Sequence, residues 1–159
     1  MTLTREIAAT YRGPGAVVAR LLAQGAREDR ALMFVMAACA MFFIAQMPGL
    51  ARQAHLDGQE LNPLLGASLL AWLVIAPLLF YVLAAISHVV ARIFGGKGTG
   101  YGARLALFWA LLATGPLVLL NGLVAGFLGA GVQLTLVGAL WFAVFMWFWM
   151  RGLITAERA

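Results

Sequence analysis

Few side chains in this sequence have the means to make or break a bond. There are two histidines, His55 and His88, one cysteine, Cys39, and six acidic residues in 159. Structural zinc sites need four converging ligands, and haem held between helices usually needs two axial ones. His55 and His88 belong to different segments with no Cys or carboxylate cluster around either, so neither centre is expected. Cys39 stands alone inside an apolar run, which excludes an internal disulfide and the cysteine pairs of a thiol oxidase. The run Gly95-Gly96-Lys97-Gly98-Thr99-Gly100 has the glycine content of a phosphate cradle. Yet Lys97 is not followed by Ser or Thr, the leading glycine spacing is wrong and no strand precedes it. It reads as a flexible linker. The sequence therefore assigns no catalytic, cofactor-binding or metal-ligating residue, and a non-enzymatic protein without a cofactor is expected.

The elements that would position these residues are membrane spans. The chain is 64% hydrophobic and 11% charged, with a mean hydropathy of +0.94. Soluble domains are about half apolar and about a quarter charged, so most of this chain is dissolved in lipid. The fold class expected is all-α, a polytopic helical membrane bundle of about four transmembrane helices. The apolar runs place the spans at about 31–50, 64–90, 103–127 and 132–150, within a transmembrane domain covering 31–155. Pro48-Gly49 marks the end of the first span, while Pro77 and Pro116 lie within the second and third and predict kinks there. The last span ends in Trp147, Phe148 and Trp149 followed by Arg151, an aromatic belt and an anchoring charge.

Residues 1–30 are polar and basic, and no cleavable signal peptide is expected there. Leu3, Ile7 and Tyr11 share one helical face; after Gly13-Pro14-Gly15, Val17, Val18, Leu21 and Leu22 form another, with Gly25 as a cap. Such amphipathic helices lie in the headgroup layer, with Arg5, Arg12, Arg20 and Arg27 at the membrane surface, or pack on the end of the bundle, or do both. The basic residues alternate from side to side. Five Arg precede the first span, Arg92, Lys97 and Arg104 occupy the 92–104 loop, and Arg151 and Arg158 follow the last span; the 51–63 loop holds only Arg52. By the positive-inside rule both termini are cytoplasmic, as in a multi-pass protein of a bacterial inner membrane. This topological use of charge accounts for the formal +5 without nucleic acid as a partner.

Lipid supplies no hydrophobic drive between helices, so small residues mark the contacts. Gly115, Gly122 and Gly126 share a face of the third span, and the expected partner is the fourth span at Gly138, with a dimer seam as the alternative. Thr114 and Asn121 share a face too, and His88 lies near a membrane boundary; each reads as an internal hydrogen-bonding group or as a polar contact for a ligand or partner. With Arg104 counted in the loop before it, no span contains Asp, Glu, Lys or Arg, which argues against ion-coupled transport.

The order of these features resembles the YIP family, membrane proteins named for interaction with Ypt/Rab GTPases. The resemblance covers roughly residues 30–155. It lies in the glycine-rich loop Gly95–Gly100 leading into Tyr101-Gly102-Ala103-Arg104-Leu105-Ala106-Leu107-Phe108-Trp109-Ala110, then Pro116, Gly122, Gly126 and an aromatic last span. It implies a Yip-type transmembrane domain with no catalytic residues. The family's acidic-Leu-x-Gly-Pro segment is absent, since Gly13-Pro14 follows an Arg, so GTPase binding is not carried over. The expectation is a non-enzymatic inner-membrane scaffold or interaction protein, whose partners are the lipid bilayer and other membrane proteins or a second copy. The alternatives are a transport or channel component for a small neutral solute, lined by Thr114, Asn121 and the kinks, or an accessory subunit of a larger membrane complex.

Overall fold

The computed structural model describes residues 3–25, 28–58, 60–129 and 131–158, and those residues contain helices and turns but no strand. In chain order the helices are α1 (Leu3–Thr10), α2 (Pro14–Ala23), α3 (Glu28–Asp57), α4 (Leu61–Leu70), α5 (Ala76–Ile93), α6 (Gly100–Ala113), α7 (Gly115–Phe127) and α8 (Val132–Arg158), with a π-helical turn at Ala71–Ile75 between α4 and α5. Three uninterrupted helical runs are long and apolar enough to cross a membrane: α3, Leu61–Ile93 and α8. The pair α6–α7 passes the same test as one span bent by 44°. The protein is an all-α, multi-pass membrane bundle.

Its prolines act in three different ways. Pro48 does not end the first span as expected; α3 runs through it to Asp57. An internal proline forfeits one backbone hydrogen bond but need not stop a helix that neighbours hold on both sides. Pro77 comes one residue after the π turn, whose wider winding gives room for the proline ring against the preceding turn, and the helical run continues to Ile93. At Pro116 the helix does break. Leu117 and Val118 N–H both turn to the Thr114 carbonyl, at 3.0 and 3.1 Å, and the axis swings by 44°. The last helix also outruns its predicted end, passing Arg151 by two turns. At 1.5 Å per residue, Leu61–Ile93 is about 50 Å long against a hydrocarbon core of about 30 Å, so the bundle projects from the bilayer.

The core sits around α6. From Tyr101 to Ala113 every residue but Arg104 is buried, because α1, α2, α3, α5 and α8 all pack on it. Aromatic contacts lock this layer: Phe34 to Trp109 at 5.0 Å, Tyr81 to Phe108 at 4.8 Å and Tyr11 edge-on to Phe148 at 4.9 Å. In contrast, only 11% of the most apolar stretch is buried in Leu61–Ile93 and likewise in α8. Their outward leucines, isoleucines and phenylalanines face lipid, where they cost nothing.

Candidate functional site

The N-terminal segment folds as a helical hairpin packed on the end of the bundle, one of the two arrangements its amphipathicity allows. Val17, Val18 and Leu21 are buried against α8 and α6, and Gly25 closes α2 with φ +92°. The hairpin reaches far down α6. Trp109 Nε1 donates to Thr10 Oγ1 at 2.9 Å, and the Tyr11 hydroxyl donates to the Ala113 carbonyl at 2.7 Å. Ala113 lies about 13 Å along α6 from Arg104. Its carbonyl is freed by the Pro116 break, since Leu117 N–H has moved to Thr114. Tyr11 thus supplies the donor that the broken span lost, and burial holds its phenol protonated beyond the usual tyrosine range.

Four arginines of this segment carry the membrane-surface expectation. Arg5 and Arg12 are exposed; Arg20 pairs with the buried Glu6 at 3.2 Å; Arg27 lies outside the described residues. Arg12, at the hairpin tip, shares a cavity of about 430 Å³ with Arg151, beneath the first turn of α2 and beside Trp147 and Ile154.

His88 is drawn into an internal dock. Its Nδ1 lies 3.1 Å from Glu157 Oε1, while Glu157 Oε2 accepts from Gly98 N–H at 3.1 Å and the Glu157 carbonyl accepts from Lys97 N–H at 2.8 Å. The glycine loop is therefore not a free linker. A Cβ at Gly98 would stand 2.9 Å from the Glu157 Cα, and one at Gly96 2.9 Å from the Ala91 carbonyl oxygen, so glycine is required by close backbone approach. Glu157 was missed because it lies beyond the aromatic belt, in what reads as a tail; the signal available was a carboxylate at the same membrane side as a lone histidine. Glu28 likewise pairs with Arg104, with Nε 3.1 Å from Oε2, tying the start of α3 to α6.

The glycine face of the third span meets α3, which corrects the expected pairing with the fourth span. A methyl on Gly122 would overlap the Ala45 carbonyl and lie 2.9 Å from its Cα; one on Gly126 would lie 3.0 Å from the Pro48 Cα; one on Gly115 would strike the Met41 side chain. Nothing lies within 4 Å of a Cβ on Gly138, which makes no close contact. The 44° bend is the reason: it swings α7 away from the line of α6 and lays it along α3, whose Ala45 and Pro48 present little side-chain bulk. Thr114, at the break, donates to the Ala110 carbonyl at 2.9 Å and accepts from Trp141 Nε1 at 3.2 Å. Asn121 Oδ1 is buried without a hydrogen-bond partner among the described residues. With Gln46 it lines two small openings, one of about 270 Å³ bordered by Ala45, Gly122 and Leu134 and one of about 170 Å³ bordered by Phe42, Trp72 and Trp141.

Among the described residues no three His, Cys, Asp or Glu side chains converge on a possible metal position. No protein-family model, no curated protein and no solved structure matches this chain.

Proposed function

We propose that the protein is a non-enzymatic membrane scaffold that engages lipid and other membrane proteins, of the kind its YIP-like sequence features imply. One observation carries this reading. Most polar side chains inside the bundle are engaged in internal bonds, His88 and Glu157 with each other, Thr114 with Trp141, Thr10 with Trp109 and Tyr11 with a backbone carbonyl, while the Tyr101 hydroxyl, Asn121 Oδ1 and Trp149 Nε1 are buried without a partner among the described residues. What faces outward is the apolar surface of α4–α5 and α8, with Arg12 at the hairpin tip and Arg151 on α8. The clustering of Arg92, Lys97, Arg104 and Arg151 at the hairpin end, against Arg52, Asp57 and Glu60 at the other, supports a cytoplasmic hairpin and a bacterial inner membrane.

The test is crosslinking of the tagged protein in its own membrane, followed by mild solubilisation and mass spectrometry, with reporters fused at positions 57 and 159. A stoichiometric membrane-protein partner, and a reporter at 159 on the cytoplasmic side, are expected. Recovery of the chain alone, or a cytoplasmic reporter at 57, would count against it. The unsatisfied Asn121 Oδ1 beside Gln46 favours one second reading, a path for a small neutral solute, which solute uptake into vesicles containing the purified protein would detect.

A further inference from the structure

We infer that the cavity between Arg12 and Arg151 binds the phosphate of an anionic phospholipid headgroup. Arg12 and Arg151 come from opposite ends of the sequence and line one space of about 430 Å³, with no acidic residue among its described lining. The acids nearest in sequence are engaged elsewhere: Glu6 with Arg20, and Glu157 with His88 and Gly98. Arg12 and Arg151 are hydrogen-bonded through their backbones only, to Ala9 and Thr155, and neither side chain has a hydrogen bond or ion pair among the described residues, so two cations border one cavity with no anion beside them. Arginine suits phosphate oxygens because its planar fork donates two parallel hydrogen bonds.

The backbone adds to this. Gly15 lets the start of α2 press against α8, since a Cβ there would stand 3.0 Å from Thr155 Oγ1. That closeness brings the first turn of α2 to the cavity wall, where Gly15 and Ala16 N–H are among the amides a helix leaves without an internal acceptor.

The occupant is a lipid because of what borders the arginines. Trp147, Arg151 and Ile154 fall on one stripe of α8, with Trp147 41% and Ile154 47% exposed, and Leu140 continues the stripe two turns deeper, 51% exposed. A tryptophan at this level marks the headgroup boundary. A phosphate held by Arg12 and Arg151 would leave its acyl chains along Trp147 and Leu140. This deepens the scaffold reading by naming a lipid partner, and rests on it only in taking α8 as lipid-facing.

Native mass spectrometry of the full chain in neutral detergent tests it, with dioleoyl phosphatidylglycerol and dioleoyl phosphatidylcholine titrated in parallel. We expect phosphatidylglycerol to be retained about tenfold more strongly, and Arg12→Gln with Arg151→Gln to bring it down to the phosphatidylcholine level. Ala16→Glu keeps both arginines and places an acid at a helix start, where it suits the fold, yet fills the cavity with the wrong charge; it should abolish the preference as well. Arg92→Gln, a basic residue outside the cavity, should leave the preference intact. An equal loss with Arg92→Gln, or a preference that survives both Ala16→Glu and the double substitution, would overturn the inference. Displacement of the lipid by excess inorganic phosphate would assign the site to free phosphate instead. Loss of crosslinked protein partners with lipid selectivity unchanged would sink the scaffold reading and leave this one standing.

Discussion

Two glycine-to-alanine substitutions, Gly122→Ala and Gly138→Ala, should move stability in opposite directions. At Gly122 the added methyl overlaps the Ala45 carbonyl oxygen and lies 2.9 Å from Ala45 Cα. Those are backbone atoms, so no rotamer change relieves the contact and α7 must move away from α3. Overpacking of this kind costs about 1–3 kcal/mol, offset by at most about 1 kcal/mol from replacing a helical glycine. At Gly138 nothing lies within 4 Å, so only the helical gain of up to about 1 kcal/mol remains. The helical gain is common to both, so the two variants should differ by the overpacking cost, about 1–3 kcal/mol. At about 2–4 °C per kcal/mol for a chain of this size, their unfolding midpoints in mild detergent should separate by roughly 2–12 °C, with wild type between them. Tryptophan fluorescence reads this directly, because Trp109 and Trp141 sit in the layers that α3 and α7 enclose. A Gly122→Ala midpoint at or above wild type would refute the close α3–α7 contact. Dissociation of an oligomer without a shift in the monomer's midpoint would move the glycine face to an intermolecular seam.

The Glu157 dock and the Tyr11 bond yield two more expectations. Glu157→Ala strips the buried acceptor from Gly98 N–H and His88 and should cost about 2–4 kcal/mol, whereas Glu157→Gln, which keeps an oxygen for Gly98, should cost about half as much. The alanine variant should also speed tryptic cleavage after Lys97, whose N–H bonds the Glu157 carbonyl, and an unchanged cleavage rate would mean the loop is not held by this carboxylate. Tyr11→Phe keeps the edge-on contact with Phe148 but leaves the Ala113 carbonyl without its donor, so the midpoint should fall by an amount equivalent to about 1–2 kcal/mol; no fall would show that the break at Pro116 needs no such cap.

The spans were legible because hydropathy alone sets them, and the faces of α2 because Val17, Val18 and Leu21 follow helical spacing. What hydropathy does not encode is partnership. Gly122 and Gly126 announce a close approach without naming the neighbour, and the neighbour was decided by the angle at Pro116, a tertiary quantity. Pro48 misled for a related reason. Proline followed by glycine stops helices that have water to satisfy their free carbonyls; inside a bundle the cheaper course is to lose one bond and continue. The glycine loop misled because glycine permits two opposite things, freedom and close packing, and only the backbone of Ala156 and Glu157 lying against Gly98 distinguishes them.

The hairpin shows why amphipathicity leaves one choice open. A helix with an apolar stripe is equally content in the headgroup layer or in a protein groove, since lipid and protein bury the stripe alike. Polar bonds break the tie, because a lipid tail offers no donor or acceptor. Thr10 and Tyr11 lie on the side that packs inward, and each bonds across to α6: the Thr10 hydroxyl, which donates to the Glu6 carbonyl on its own helix, accepts from the Trp109 indole, and Tyr11 donates to the Ala113 carbonyl. The second of these partners exists only because Pro116 removed the usual bond. The proline that bends the third span therefore also creates the acceptor that anchors the N-terminus. That bond links the kink at Pro116 to the hairpin whose Arg12 lines a cavity with Arg151 of α8, while the hairpin's own turn comes from Gly13-Pro14-Gly15.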